Sequence, residues 1–256
     1  FQEVDDVWGQ NLSGLMFSGD ESDLKMTQNA QPALMAVSMA TVRVLEKERG
    51  VALKSSVKFM AGHSLGEYSA LCASGVYSLE ATTRLLRARG TAMQEAVPAG
   101  KGGMAALIGA SLEQAEEIAT LASQGDSVCE VANDNAPGQV VLSGHIEAIE
   151  RSIDIAKEKA IKRALILPVS APFHSTLMKP AAEKMQAALD SETILSMPMA
   201  TLVSNVTATP LDNLEQISPR LIQQITGRVR WVESMEYLVE QGMTQLIEVG
   251  SGKVLT

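Results

Sequence analysis

Ala61-Gly62-His63-Ser64-Leu65-Gly66-Glu67-Tyr68 decides the reading of this chain. Val57, Phe59 and Met60 before it read as a short buried strand, and Glu67 to Cys72 after it as the first turns of a helix. Gly-x-Ser-x-Gly between strand and helix is a nucleophile elbow. Its serine lies on a sharp turn, so the flanking positions need almost no side-chain volume, and Gly62 and Gly66 meet that need. The helix N-terminus directs its N–H groups and positive dipole end at negative charge forming beside Ser64.

A serine nucleophile needs a base within hydrogen-bond reach, and the chain has three histidines. His145 opens a helix away from the elbow and reads as a surface or capping residue. His63 precedes Ser64 and points off the turn in another direction, leaving a packing role and a pocket role both open. His174, in the loop Ser170-Ala171-Pro172-Phe173-His174-Ser175, is the best base by elimination. No acidic residue after it stands out as a triad carboxylate. A backbone carbonyl or an amide is left as the orienting group.

Outward from the elbow, residues 1–26 form short helices. Gln31-Pro32 opens a helix with a broad apolar stripe of Leu34, Met35, Val37, Met39, Val42, Val44 and Leu45, ending at Gly50. Ser78 starts a helix to about Ala96 that carries Arg84, Arg87 and Arg89. Pro98 to Gly103 is a joint. From there the chain reads strand (104–108), helix from the Ser111 cap, strands (128–132 and 139–142), helix (147–160), strand (163–167). This β-α-β-β-α-β order is the split βαβ pattern. Helices at 176–189, 214–226 and 231–241 follow, with strands at 200–206 and 246–249. The expectation is an α/β fold in which the strands outside the 98–173 unit form a mainly parallel sheet, with Ser64, Asn205 and Gly250 all at carboxyl ends of strands. Residues 1–97 and 174–256 would form the large unit and 98–173 an inserted ferredoxin-like one.

Composition narrows the function. The net charge of -9 argues against nucleic acid as a partner. Cys72 and Cys129 have no partner at metal-site spacing, and a disulfide framework is not expected, in keeping with a reducing, cytoplasmic setting. No apolar run reaches the ~20 residues of a membrane span. The 13 methionines fit a role as core filler.

Several segments in register carry a resemblance. They are the elbow itself, Arg89-Gly90 with Met93 to Pro98, Asn135-Ala136-Pro137-Gly138-Gln139-Val140-Val141, Pro172-Phe173-His174, and Glu248-Val249-Gly250 with Gly252 to Leu255. Together they resemble the malonyl-CoA:acyl carrier protein transacylase family of bacterial fatty-acid synthesis. The resemblance implies an α/β-hydrolase-like core with a ferredoxin-like insert. It implies that Ser64 takes malonyl from coenzyme A as an ester, and that the phosphopantetheine thiol of acyl carrier protein removes it. His174 matches the base, and Gln224 the position whose backbone carbonyl orients it. Arg89 matches the arginine that grips the malonyl carboxylate, a task suited to a planar guanidinium. The N–H of Leu65 would be one oxyanion donor. Phe173 resembles malonyl-selecting members more than methylmalonyl-selecting ones.

His63, Asn135, Gln139 and Asn205 are further binding candidates, with turn or packing roles as the plain alternative. Lys179 and Arg228 are open as contacts for coenzyme A phosphates or an acidic carrier. No cofactor and no metal are expected, and the chain would act as a monomer. The family's N-terminal Gly-Gln-Gly-x-x-Gln segment and C-terminal helix are absent, so both ends are expected to be trimmed. A serine esterase or thioesterase, an acyltransferase domain of a polyketide synthase, and a non-catalytic docking piece are the competing readings.

Overall fold

A computed structural model describes residues 1–169 and 171–255. Ser170, placed above in the histidine loop, and Thr256 lie outside the described residues. The fold is α/β with a small parallel sheet and a larger mixed one.

Three short helices, α1 (Gln2–Trp8), α2 (Leu12–Ser18) and α3 (Glu21–Lys25), lead into the long α4 (Thr27–Arg49), which stops where Gly50 turns left-handed. Helix α4 starts before Gln31-Pro32, so Pro32 lies inside the helix rather than opening it. Tertiary packing offsets the local penalty: Gly90 brings a second helix so close that a Cβ there would lie 2.5 Å from the Gln28 Cα. The expected stripe is narrower than drawn. Met35 and Val42 are buried, whereas Leu34 and Val44 are exposed, since no single helix face can bury all seven residues.

After α5 (Leu53–Ser56), strand β1 (Phe59–Met60) enters the elbow and α6 (Leu65–Ala73) leaves it. Helix α7 (Leu79–Glu95) is capped by the Ser78 side chain and carries Arg89. Strand β2 (Gly102–Ile108), α8 (Leu112–Ala122), β3 (Cys129–Ala136), β4 (Gln139–His145), α9 (Ile146–Glu158) and β5 (Arg163–Ile166) follow in the order expected. A capping box between Ser111 and Gln114 fixes the start of α8. Helix α10 (Lys179–Asp190), β6 (Thr201–Leu202), α11 (Ile217–Thr226), β7 (Val229–Arg230) and α12 (Trp231–Glu240) complete the chain.

Strand β1 pairs parallel with β6, Phe59 opposite Thr201 and Met60 opposite Leu202. The larger sheet runs β5-β2-β4-β3-β7, antiparallel except for the β3–β7 edge. Alternation along its strands separates its faces. Ala105, Leu107, Val140 and Leu142 pack under α8 and α9, while Met104, Ala132 and Val141 pack toward Phe173 on the other face.

Outside residues 98–173 the expected parallel pairing is present but only two strands wide, β1 with β6, and the larger sheet is built mostly from β2 to β5. Two expectations fail here. The strand at 200–206 shrinks to β6, because beyond Leu202 the chain turns back, Val203 bridging Pro210. The strand at 246–249 does not form. Leu246 and Ile247 are exposed, and a run of apolar residues is no strand without a neighbour to bond. Gly250 therefore follows no strand. Strand β7, unread in the sequence, joins the C-terminal part of the chain to β3 of the larger sheet.

Candidate active site

Strand β1 ends at Met60, and four residues later Ser64 adopts φ 54° and ψ -111°. Such a backbone in a non-glycine residue costs on the order of 1–3 kcal/mol and persists only when its surroundings over-determine it. They do so here. The Asn205 side chain, just past β6, accepts from the Ser64 N–H at 2.7 Å and donates to the Gly62 carbonyl at 2.8 Å. One amide thus clips both sides of the turn. A Cβ on Gly62 would lie 1.9 Å from the Gly66 carbonyl oxygen, so glycine is obligatory there. A Cβ on Gly66 would meet nothing within 4 Å, contrary to the symmetrical requirement drawn from the motif. Ser64 is the N-cap of α6 but makes no side-chain cap, which leaves its hydroxyl for other partners.

Those partners are His174 and Arg89. Ser64 Oγ lies 2.8 Å from His174 Nε2 and accepts from Arg89 Nη2 at 3.0 Å. His174, at φ 57° in a loop pinned by a Ser175 to Pro172 hydrogen bond, has its Nδ1 2.8 Å from the Gln224 carbonyl. A carbonyl can only accept, so Nδ1 carries the proton and Nε2 is free to take one from Ser64. Burial, with Arg89 nearby, pulls the His174 pKa down to about 3. The imidazole is therefore neutral at physiological pH, as a base must be.

Arg89 is fully buried, 1% exposed. Its Nη1 donates to Gln31 Oε1 at 2.6 Å and its Nη2 to Gln224 Oε1 at 2.8 Å. Among the described residues no carboxylate forms an ion pair with it, and its Nε has no hydrogen-bond partner. Burial pulls its pKa down, yet guanidinium stays cationic. A buried cation held by neutral amides beside a serine hydroxyl is suited to a ligand that brings its own negative charge.

Residues 2–248 match the acyl transferase domain family. The malonyl CoA-acyl carrier protein transacylase of Bacillus subtilis (strain 168) is 43% identical over 256 residues, which is 100% of this chain and 79% of the relative. The chain belongs to the malonyl CoA-acyl carrier protein transacylase family. Among solved structures, the acyl-carrier-protein-S-malonyltransferase of Bartonella henselae matches with a TM-score of 0.96 and 51% identity, covering 100% of this chain and 80% of the other. A malonyl-transacylase in complex with its type II PKS acyl-carrier protein matches with a TM-score of 0.95 and 42% identity, covering 100% and 81%.

Of the transacylase site residues expected from the sequence, the structure gathers Ser64, His174, Arg89 and Gln224 in one cluster. Leu65 opens α6, so its N–H is among the helix donors that have no intrahelical acceptor. His63 Nε2 lies 2.7 Å from Asn135 Oδ1, and its ring packs on Trp231. Asn135 reaches it because β3 bulges twice, between Val131 and Asn133 and between Asp134 and Ala136, leaving Asn135 unpaired in the ladder and re-aimed. Phe173 is half-buried against two core clusters. Gln139 is exposed at the start of β4, and no hydrogen bond ties it to the cluster. His145 Nδ1 accepts from the Val128 N–H rather than capping its helix. Arg228 is engaged by Glu116 and Glu233.

Two members of the cluster were not read from the sequence. Gln31 looked like a helix opener, and only the fold brings it to Arg89. Glu67 is completely buried, its carboxylate accepting from Gln224 Nε2 at 2.6 Å. Burial pushes its pKa up to about 7, against opposing hydrogen bonds from Gln224 and Asn205 and the charge of Arg89. An acid in the first turn of a helix is ordinary, which hid it. Among the described residues, no group of three or more His, Cys, Asp or Glu could hold a metal ion, and no helix is long and apolar enough to cross a membrane.

Proposed function

We propose that the chain transfers malonyl from malonyl-CoA to the phosphopantetheine thiol of acyl carrier protein through a malonyl ester on Ser64, supplying fatty-acid synthesis. The observation that carries this reading is the position of Ser64 Oγ between His174 Nε2 and Arg89 Nη2. His174 Nε2 takes the hydroxyl proton while Oγ attacks the thioester carbonyl. The carbon–sulfur bond breaks, and the proton passes from His174 to the departing coenzyme A sulfur. In the second half His174 takes the carrier thiol proton, sulfur attacks the ester, and Ser64 regains its proton. The N–H of Leu65 donates to the oxyanion in both halves. Arg89 exchanges Ser64 for the malonyl carboxylate, and an acetyl group would leave the guanidinium without that anion.

The reading extends to the architecture. An α/β-hydrolase-like core of residues 1–97 and 174–256 would carry Ser64 and His174, and a ferredoxin-like unit of residues 98–173 would complete the cleft with Asn135. The strand order β5-β2-β4-β3, with α8 and α9 on one face, supports the second assignment. Acyl carrier protein as the partner rests on the names of the relatives and on the complexed neighbour. A monomer working in the cytoplasm without a cofactor completes the reading. Asn205 would act through the elbow backbone rather than on the acyl group.

Intact-mass analysis after exposure to malonyl-CoA tests it. One malonyl group should appear on the peptide holding Ser64, and none in Ser64→Ala. Arg89→Ala should lower malonyl loading by roughly a hundredfold while narrowing the gap to acetyl-CoA. A thioesterase would instead hydrolyse malonyl-CoA without accumulating or transferring the acyl group.

A further inference from the structure

Among the described residues, the Gln224 side chain alone is hydrogen-bonded to the elbow, Arg89 and Glu67 together. Its Nε2 donates to the Ser64 carbonyl at 2.9 Å and to Glu67 Oε2 at 2.6 Å, and its Oε1 accepts from Arg89 Nη2 at 2.8 Å. Only one orientation of the amide satisfies all three contacts. Turned over, it would set NH2 against the guanidinium donors and oxygen against a carbonyl and a carboxylate. Glu67 is fixed in turn. It lies three residues beyond Ser64 on α6, is 0% exposed, and also faces the Asn205 N–H at 3.4 Å from each oxygen.

We infer that Glu67 is a positioning residue for carboxylate recognition: it fixes the polarity of the Gln224 amide, and Gln224 thereby aims Arg89 at the acyl group. This rests on the malonyl-transfer reading above. Above pH 7, where Glu67 is ionised, its carboxylate is suited to the task because it only accepts; glutamine, serine or water could bond Gln224 in either orientation. Glu67 also places a negative charge one amide away from a buried guanidinium that contacts no carboxylate directly. With the amide fixed, Arg89 Nη2 is shared between Gln224 and Ser64, and its position is set before the acyl group enters. A pre-positioned guanidinium loses little on binding a carboxylate, whereas one free to swing loses side-chain entropy first. Glu67 thus bears on which acyl group is accepted more than on the proton transfers, which run through His174.

The test compares loading from malonyl-CoA and acetyl-CoA in the wild-type chain, Glu67→Gln, Glu67→Asp, Gln224→Leu and the Glu67→Gln/Gln224→Leu double variant. Glutamine at 67 matches the glutamate in shape but must turn its NH2 either to the Asn205 N–H or to Gln224. The KM for malonyl-CoA should rise roughly tenfold with kcat changed less than about threefold, and the malonyl-to-acetyl ratio of kcat/KM should fall roughly tenfold. Glu67→Asp, still acceptor-only, should keep more of that ratio than Glu67→Gln. Gln224→Leu keeps the backbone carbonyl that holds His174 and loses only the amide, so the double variant should be no less selective than Gln224→Leu alone. Equal losses for both thioesters in Glu67→Gln, an unchanged ratio, or additive losses in the double variant would overturn the inference. If Glu67→Gln does not fold, the aspartate and leucine variants decide by the same ratio. A wild-type chain that loads acetyl as readily as malonyl would instead overturn the reading on which the inference stands.

Discussion

The segment from β2 to β5 and the surroundings of the elbow are built on different economies of order. In the first, seven-residue strands pair along their length, β2 with β4 from Gly102–His145 to Ile108–Gln139, and two amphipathic helices close one face. Its order comes mostly from repetition, with Gly144 the exception, since a Cβ there would lie 2.0 Å from the Val128 carbonyl oxygen. Around the elbow, two strands of two residues each carry the chain into a strained turn. There order comes from individual polar side chains: Asn205 on the turn, Gln224 on Arg89 and Ser64, Glu67 on Gln224. Regular structure tolerates dilution, whereas a site assembled from single hydrogen bonds does not.

The strongest way to break this comparison is at the glycines. Gly62→Ala puts a methyl 1.9 Å from a backbone oxygen and should yield no folded protein. Gly66→Ala meets no protein atom and gains helix propensity, so its melting temperature should stay within about 3 °C of wild type. Circular dichroism melts of both decide it, and equal tolerance would show that the turn is looser than drawn.

Next comes a matched pair. Asn205→Ala leaves the part-buried Ser64 N–H and the buried Gly62 carbonyl without partners and should cost about 3 kcal/mol. Ile118→Ala hollows the core under the larger sheet for a similar 2–5 kcal/mol, roughly. Denaturant unfolding should find the two comparably destabilised. Malonyl loading by the folded protein should drop roughly tenfold or more in Asn205→Ala and stay within about twofold in Ile118→Ala. Equal activity loss would erase the distinction between the regions.

The smallest effect is in pH dependence. The His174 pKa is depressed from 6.5 to about 3, so its stabilisation is lost as pH falls below 6.5. The Glu67 pKa is raised from 4.5 to about 7, so its contribution is present below 4.5 and lost as pH rises through 7. Between 4.5 and 6.5 the two slopes oppose each other. Glu67→Gln removes the second and should make stability climb with pH by about 1 kcal/mol more per unit in that window. Parallel melting curves for wild type and variant would show that Glu67 does not titrate there.

Legibility in the sequence followed the same divide. Alternation and capping residues placed β2 to β5 in order, because period-two burial and the Ser111–Gln114 box are local signals. The site was readable where a motif or a shortage of candidates applied: Gly-x-Ser-x-Gly for Ser64, three histidines for His174. Gln31, the Gln224 amide and Glu67 left no local trace, since their partners lie far away in sequence. Short β6, absent pairing at 246–249 and the bulges of β3 were unreadable because strand length and register depend on neighbours.

Strand β7 has a practical consequence for recombining this family. Val229 and Arg230 ladder onto Asn133 and Asp134, and the Arg230 N–H bonds the Asn205 carbonyl. Two residues of backbone therefore stitch the middle third of the chain to Asn205, whose side chain clips the turn at Ser64. A chimaera that exchanges residues 102–166 with a relative crosses that seam, and it should work only when 229–230 and their neighbours travel with the graft.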